Sequence, residues 1–165
     1  KVFELYNGIM VKFSKRESVF QVEEGTILQP KFDKNNLIPV ITVDAKNNHV
    51  LMHGYMNPEA FEMSMETGEA HYWSRSRKCL WKKGQTSGLS QNIKEIMIDD
   101  DQDCVIFKVE LGGMSASCHV GYKSCFYRKL IKNHDKYSHK LEFKEKDKVF
   151  DPKDVYGDEP NPTKL

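Results

Sequence analysis

Residues Asp99–Phe126 read DDDQDCVIFKVELGGMSASCHVGYKSCF and carry most of the side chains in this chain that suit metal chemistry. The stretch contains four aspartates, three of the four cysteines and one of the six histidines. Two short apolar runs, Cys104–Val109 and Ser115–Val120, separate the aspartates from a cluster of cysteine and histidine. Hard oxygen ligands and soft thiolates this close together indicate sites for metal ions.

The segments that precede this stretch predict strands. Leu37–Val43 is rich in β-branched residues and is typical of a buried strand, with Pro39 at its start or at a sheet edge. His49–Tyr55 follows a turn-forming segment and completes a predicted hairpin. Ala70–Trp73 and Ile93–Ile98 are two further predicted strands, and the second leads directly into the aspartates.

One short amphipathic helix is predicted between these strands. Asn57 and Pro58 are typical of a helix N-terminus, as the N-cap and the first helical residue. Phe61 and Met65 then lie on one face of the helix, and Gly68 suits a left-handed helix end.

Length and composition limit the class of protein. A chain of 165 residues with 39% apolar residues is expected to form one globular domain. Its apolar runs are shorter than the roughly 20 residues of a membrane-spanning helix, and its first residues lack the apolar core of a signal peptide. A net charge of +1 lacks the basic excess of general nucleic-acid binders. Four cysteines without a secretion signal favour reduced thiols and a cytoplasmic protein.

One cluster of aspartates and one pair of cysteines could carry chemistry, and each also has a purely structural interpretation. Asp99, Asp101 and Asp103 alternate, so on an extended segment their carboxylates would share one face and attract Mg²⁺; otherwise they form a solvated turn. Cys118 and Cys125, with six residues between them, could hold one soft ion around a turn, or could be core cysteines.

A histidine and a basic cluster complete the candidates. His119 adjoins the first of the two cysteines and could ligate a metal or exchange a proton near neutral pH. The segments WSRSR and KGQTSG contain arginines, lysines and glycines that suit either phosphate binding or a solvated loop. A P-loop is excluded because its glycine–lysine pattern is absent.

The order of these motifs carries a resemblance to a known enzyme family. LIPVITVDA, VLMHGYMNPEAF, ETGEAHYWSRSR, LWKKGQTSG, the aspartate run and SCHVGYKSCF follow one another between residues 31 and 128. Together they closely resemble phosphoribosyl-AMP cyclohydrolase, a hydrolase of histidine biosynthesis that opens the N1–C6 bond of the adenine ring in phosphoribosyl-AMP. The resemblance implies an α+β fold, a compact mixed-sheet domain with few short helices, and an interlocked homodimer with shared active sites.

The resemblance also implies roles for individual residues. Zinc would be held by cysteines that include Cys118 and Cys125, and His119 would be the catalytic acid or base. Magnesium would be held by the three alternating aspartates, Asp99, Asp101 and Asp103. The phosphates of a small nucleotide substrate would be contacted by residues of the two basic segments: Arg75, Arg77, Lys83, Thr86, Ser87 and Gly88.

The chain departs from the family in its acidic motif. The family has Asp-Cys-Asp-x-Asp, whose cysteine supplies the third zinc thiolate, whereas this chain has Asp100 there and a cysteine only at Cys104. On an extended strand these two positions would lie about 13 Å apart. Three explanations stay open: Asp100 ligates zinc, Cys104 ligates it through a bulge or a shifted register, or zinc is lost. Gln85 is a second change, where the family usually has Glu.

The resemblance divides the chain into three parts. Residues 31–130 would form the cyclohydrolase-like catalytic domain, residues 1–30 an N-terminal extension with weak strands, and residues 131–165 a charged, loosely packed C-terminal extension. The predicted function is phosphoribosyl-AMP cyclohydrolase, without nucleic-acid or membrane partners. The alternatives are a divergent paralogue that acts on another purine nucleotide, and a non-catalytic relative that binds a metal or a nucleotide.

Overall fold

The computed structural model describes residues 4–6, 9–11, 13–132, 139–163 and 165. It combines short helices with strands that gather around one mixed sheet, which confirms the α+β class. In chain order the elements are β1 (Glu4–Tyr6), β2 (Ile9–Val11), α1 (Val19–Glu24), β3 (Ile38–Asp44), β4 (Val50–Met56), α2 (Pro58–Thr67), β5 (His71–Ser74), β6 (Cys79–Lys82), β7 (Gln91–Ile98), β8 (Val105–Leu111), β9 (Arg128–Ile131), β10 (Lys140–Phe143) and α3 (Pro152–Tyr156).

The central sheet has the strand order β4-β3-β8-β7. Strand β3 pairs antiparallel with β4 and parallel with β8, and β7 pairs antiparallel with β8. The hairpin and the strand before the aspartates are therefore confirmed. Pro39 lies opposite Tyr55 of β4, and the pairing with β8 starts one residue later at Val40. Because proline has no N–H to donate, it is tolerated in this interior strand only before the second ladder begins.

The core lies between this sheet and helix α2. Alternate residues of β3 and β8, such as Val40 and Phe107, are fully buried, as the period of two along a strand requires. Phe61 of α2 and Tyr72 of β5 complete the same apolar cluster. The Tyr72 hydroxyl hydrogen-bonds Thr42 at 2.7 Å, so this buried polar atom is satisfied.

Helix α2 begins and ends where the sequence predicts. The Asn57 side chain accepts a hydrogen bond from the Ala60 N–H, Pro58 follows as the first helical residue, and Gly68 ends the helix with φ of +70°. The helix therefore fixes where β5 begins, and with it the β5–β6 hairpin that carries the basic segments.

The two extensions differ in part from expectation. Of the weak strands expected in residues 1–30, β1 and β2 pair as an antiparallel hairpin, whereas Val19–Glu24 is a helix capped by Ser18. In the C-terminal part, Phe150 is only 7% exposed and packs against Leu89. That part is therefore less loosely packed than its charge suggests. Among the described residues, no helix is both long and apolar enough to cross a bilayer.

Candidate active site and metal ligands

Cys118 and Cys125 are brought together by a tight turn. The Gly121 N–H donates to the Cys118 carbonyl at 3.1 Å, and Gly121 adopts a φ of +104°, which glycine accepts most readily. The Cys125 N–H donates to the Leu51 carbonyl at 2.7 Å, so the second cysteine is fixed beside β4. The two thiols lie close enough to perturb each other's pKa, and both cysteines are free.

The interaction between the two thiols gives them different pKa values. The interaction with Cys125 lowers the pKa of Cys118 to about 6, against the opposing effect of burial. The backbone near Val120 and Tyr122 lowers this pKa further. The pKa of Cys125, whose side chain is exposed, is correspondingly raised, chiefly by its interaction with Cys118. At neutral pH Cys118 is therefore the thiolate and Cys125 the thiol. The thiolate is the form of cysteine that binds metals.

Lys83 lies beside this thiol pair. Its side chain is buried, and Nζ donates to the Ser117 carbonyl at 2.7 Å. Burial lowers the pKa of Lys83, while the negative charge shared by Cys125 and Cys118 counteracts that effect. The structure thus places the buried amine of Lys83 beside the thiol pair, whereas the sequence grouped this residue with the phosphate-binding segments.

A buried polar network links the sheet to the same turn. Tyr72 donates to Gln91 Oε1 at 2.5 Å, and Gln91 Nε2 donates to Ser117 Oγ at 3.1 Å. Gln91 is fully buried in β7, so its amide has no access to water and must be satisfied by these neighbours. The position of Ser117, and hence of Cys118, is therefore fixed by the core.

His119 follows Cys118 and is half-buried. The Asn161 side chain of the C-terminal segment lies near enough to the ring to influence its pKa. Its Nε2 atom is buried and has no hydrogen-bond partner among the described residues. Burial lowers the pKa of His119, the Asn161 side chain raises it, and the charge of Lys83 lowers it, with a lowered net value. The imidazole is therefore neutral at physiological pH.

The aspartate run is a turn, which is the second of the two alternatives that the sequence leaves open. The Gln102 N–H donates to the Asp99 carbonyl at 3.1 Å, and Gln102 has a φ of +57°. Asp99 Oδ1 also accepts from the N–H groups of Asp103 and Cys104, both at 2.9 Å. Because the Asp99 carboxylate binds these backbone N–H groups, the segment forms a loop instead of the extended strand that would put alternate residues on one face.

The turn nevertheless gathers the three predicted carboxylates. Oxygen atoms of Asp99, Asp101 and Asp103 all lie within 4.8 Å of one another. Burial raises the pKa of Asp103, and the neighbouring charges of Asp101 and Asp99 raise it further. Carboxylates that repel one another at this distance are suited to a hard cation, although exposed acidic groups also occur without one.

Asp100 and Cys104 belong to the acidic turn. Asp100 is exposed, and Cys104 is half-buried with a pKa raised by burial and then by Asp99 and Asp103. Among the described residues, the three aspartates are the only group of three or more His, Cys, Asp or Glu side chains arranged to hold an ion. Within one chain, neither Asp100 nor Cys104 completes a three-ligand site with the thiol pair.

One basic segment forms the turn of the β5–β6 hairpin, and the other forms the loop that follows β6. Arg75 stacks its guanidinium 4.2 Å from the Tyr55 ring centre, and Arg77 donates from Nε to Ser74 Oγ at 3.3 Å. Both arginines are exposed in the hairpin turn. In the following loop, Thr86 and Gly88 are exposed, whereas Ser87 is half-buried against α3.

Sequence reasoning missed several residues that surround the site. Gln91, Ser117, Tyr156 and Asn161 carry no metal-ligand or catalytic motif, and the last two lie outside the recognised family motifs. Tyr156 hydrogen-bonds Ser87, so α3 contacts the loop that the sequence assigns to phosphate binding. Gln91 is the first residue of β7, whose other residues are exposed or half-buried, so no signal in the sequence indicated its burial.

Comparison with known proteins agrees with the motif resemblance. The family model of phosphoribosyl-AMP cyclohydrolase matches residues 52–127. A curated relative of that name from Rhodopseudomonas palustris (strain TIE-1) is 47% identical over 136 residues, which cover 82% of this chain and 89% of the relative. One from Chelativorans sp. (strain BNC1) is 51% identical over 66% of this chain and 78% of the relative. One from Brucella canis is 50% identical over 67% and 79%.

Proposed function

The chain belongs to the phosphoribosyl-AMP cyclohydrolase family, and we propose that it opens the adenine ring of phosphoribosyl-AMP at the site built around Cys118 and His119. The observation that carries the proposal is the 47–51% identity, over most of the chain, with relatives named for this enzyme. The local geometry supports it, because a thiolate, a neutral histidine and a buried lysine meet in one place.

The reaction needs one water and two proton movements. The oxygen of water bonds to C6, the N1–C6 bond breaks, and N1 receives a proton. His119 is suited to these movements because it is neutral and its Nε2 atom has no hydrogen-bond partner among the described residues. It can accept the proton of the attacking water and return one to N1, as general acid–base catalysis requires.

Cys118 and Cys125 would hold a zinc ion. Their residue type fits zinc, and the lowered pKa of Cys118 makes its thiolate available at neutral pH. When bound, zinc supplies Lewis acidity that lowers the pKa of the attacking water towards about 7. The buried ammonium of Lys83 stabilises the negative charge of the sulfurs and so favours the ligating form of the pair.

A homodimer would complete this zinc site. The described part of one chain supplies two sulfurs but no third ligand, and catalytic zinc needs three protein ligands. An acidic turn contributed by a second copy would bring Asp100, the position of the family's third thiolate, or Cys104. Exposed apolar side chains such as Met97, Phe126 and Leu130 support a further interface.

The remaining charged groups would bind the rest of the substrate. Asp99, Asp101 and Asp103 would hold Mg²⁺, and the exposed Arg75 and Arg77 would contact phosphate oxygens. The loop that contains Thr86, Ser87 and Gly88 would supply polar and backbone contacts to the same groups. The four cysteines are free, which suits a reducing compartment, and we include a cytoplasmic location in the proposal.

Substrate turnover tests the proposal. Zinc- and magnesium-loaded protein should change the ultraviolet absorbance of phosphoribosyl-AMP, with AMP as the control nucleotide. The His119→Ala variant should lose activity by about 10²- to 10⁴-fold, which is the usual contribution of a general acid–base group. Zinc-loaded wild-type protein that leaves phosphoribosyl-AMP unchanged would exclude this function and favour a divergent relative.

A further inference from the structure

The C-terminal segment, residues 145–161, is docked on the cysteine turn, residues 117–126. The Val149 N–H donates to the Gly121 carbonyl at 2.7 Å. A side chain at Gly121 would overlap the carbonyl oxygen of Phe150. The cysteine turn and the segment are therefore fitted to each other by backbone contact.

Apolar packing holds the same segment further along. Phe150 is 7% exposed and forms a buried cluster with Leu89 and Ala116, with Tyr156 packed against it. Ala116 directly precedes the cysteine turn in sequence. The cluster therefore anchors the segment beside the turn by burial of apolar surface.

The Glu145 carboxylate, at the start of the segment, binds two consecutive backbone N–H groups of the turn. Its Oε2 atom accepts from the Lys123 N–H at 2.9 Å, and its Oε1 atom accepts from the Ser124 N–H at 3.1 Å. Hydrogen bonds to an ionised carboxylate are stronger than those between neutral groups. A glutamine in the same place would offer one acceptor oxygen and one NH₂ group, which cannot accept. The pair of bonds therefore requires the carboxylate.

These two bonds hold the arm of the turn that leads to Cys125. The Lys123 carbonyl accepts from the Ser117 N–H at 2.9 Å, next to Cys118, whereas the Lys123 N–H is bound by Glu145. Cys125 itself is fixed to β4 by its own N–H. The arm that carries the second thiol is thus held by the first arm and the sheet, and by Glu145 at the residues in between.

We propose that Glu145 is a positioning residue that sets the distance between the sulfur atoms of Cys118 and Cys125, so that the C-terminal segment is a working part of the metal centre. Glu145 acts through the backbone of the turn. Among the described residues, its carboxylate does not join the two sulfurs in a group of three ligands. The inference rests on the proposed function for the identity of the ion, but the two hydrogen bonds are a property of this chain.

A purely structural role for Glu145 makes a different forecast. If the carboxylate only fastened the end of the chain, its loss would loosen the segment and leave zinc binding unchanged. If it positions the turn, its loss leaves two N–H groups without their acceptors and the second thiol less well fixed. Partners that orient metal ligands contribute about 10- to 100-fold to metal affinity, so zinc binding should weaken within that range.

The test compares two pairs of variants of the full chain. Glu145→Ala removes both acceptor oxygens, and Glu145→Gln keeps one. Glu142→Ala and Glu142→Gln are the matched controls, because Glu142 is an exposed carboxylate three residues earlier that pairs with Lys129 at 3.1 Å. Competition with a chromophoric chelator gives the zinc Kd, and the absorbance of Co²⁺-loaded protein reports thiolate coordination. Amide hydrogen exchange over residues 117–126 of metal-free protein reports how firmly the turn is held.

We expect the zinc Kd to rise about 10- to 100-fold in Glu145→Ala, to rise less in Glu145→Gln, and to stay at the wild-type value in both Glu142 variants. The cobalt–thiolate absorbance should change, and the amides of the turn should exchange faster, only in the Glu145 variants. Equal zinc Kd values in Glu145→Ala and Glu142→Ala would overturn the inference. If Glu145→Ala does not fold, the same comparison between the two glutamine variants decides.

Failure of the proposed function would look different. Wild-type protein that binds zinc but leaves phosphoribosyl-AMP unchanged would exclude that function, while the zinc Kd values still decide the role of Glu145. Wild-type protein that binds no zinc would overturn both the zinc centre and this inference, whatever the hydrogen exchange of the turn.

Discussion

Truncation of Phe150 to alanine should release the C-terminal segment from the active site. Phenylalanine to alanine in a core costs about 3–5 kcal/mol, and this satellite cluster has only three buried members, so we expect the lower end, about 3 kcal/mol. Because the loss concerns docking of one segment, the central sheet should remain folded. The docking equilibrium should weaken by about a hundredfold, since each 1.4 kcal/mol is a factor of ten.

Limited proteolysis measures this local opening directly. Trypsin can cleave at Lys148 and Lys153 within the segment, and its rate follows the open fraction when opening and closing are fast. Cleavage there should accelerate about a hundredfold in Phe150→Ala, and turnover should fall because the cysteine turn loses the segment that is hydrogen-bonded to Gly121. Val149→Ala is the matched control, because Val149 is 47% exposed and its backbone hydrogen bond is retained.

Two results would refute this reasoning. If Phe150→Ala were cleaved at the wild-type rate, the cluster would not hold the segment. If the segment were released and turnover remained complete, the segment would not belong to the active site.

Three further predictions concern charges. In metal-free protein, Cys125→Ala should raise the pKa of Cys118 from about 6 towards its ordinary value, because the main interaction that lowers it is lost. A pH titration of the thiolate absorbance measures this pKa, and an unchanged midpoint would contradict the prediction. Asp44→Asn should cost about 1 kcal/mol near neutral pH by removing the 2.7 Å ion pair with Lys123. Because folding lowers the pKa of Asp44, the stability difference between the two proteins is present above about pH 4 and vanishes as the pH falls through the pKa of folded Asp44. Urea unfolding at several pH values measures whether the stability difference changes in this direction. Mg²⁺ at a hundred times its Kd should stabilise the wild type by about 2.7 kcal/mol, and Asp101→Asn should reduce that gain at the same concentration; equal thermal shifts would count against the acidic site.

The strands and the main helix were predictable because their signals are local. Asn57, Pro58 and Gly68 supply capping chemistry that depends on a few neighbouring residues, and the helix begins and ends with them. In β3 the residues that alternate along one face, Ile38, Val40 and Thr42, are buried, and its β-branched residues indicate a strand from sequence alone. The helix at Val19–Glu24 was missed because its few apolar residues fit both periods, and the cap at Ser18 decided the outcome.

The acidic turn illustrates what alternation leaves open. A spacing of two residues predicts a shared face only if the backbone is extended, and nothing in DDDQD requires that. The Asp99 carboxylate caps the N–H groups of Asp103 and Cys104, and Gln102 takes a left-handed conformation. The carboxylates meet as predicted, but through loop closure, so distances worked out for a strand do not apply to Asp100 and Cys104.

The partners of the candidate catalytic residues were beyond reach of the sequence. The proximity of Lys83 to the thiol pair depends on how β6 leads into a loop that passes Ser117. The hydrogen bond of Val149 to Gly121 joins the cysteine turn to an extension without a motif. Such contacts come from tertiary packing, which single-sequence patterns do not encode.

The most direct test of the account is the zinc content of the purified protein beside its turnover of phosphoribosyl-AMP. The account predicts about one zinc per chain, active protein, and loss of both metal and activity in Cys118→Ala. The Cys79→Ala variant, which alters a cysteine outside the pair, should keep both. A wild-type protein without zinc, or a Cys118→Ala protein that retains zinc and turnover, would contradict the assignment of Cys118 and Cys125 as the centre of the active site.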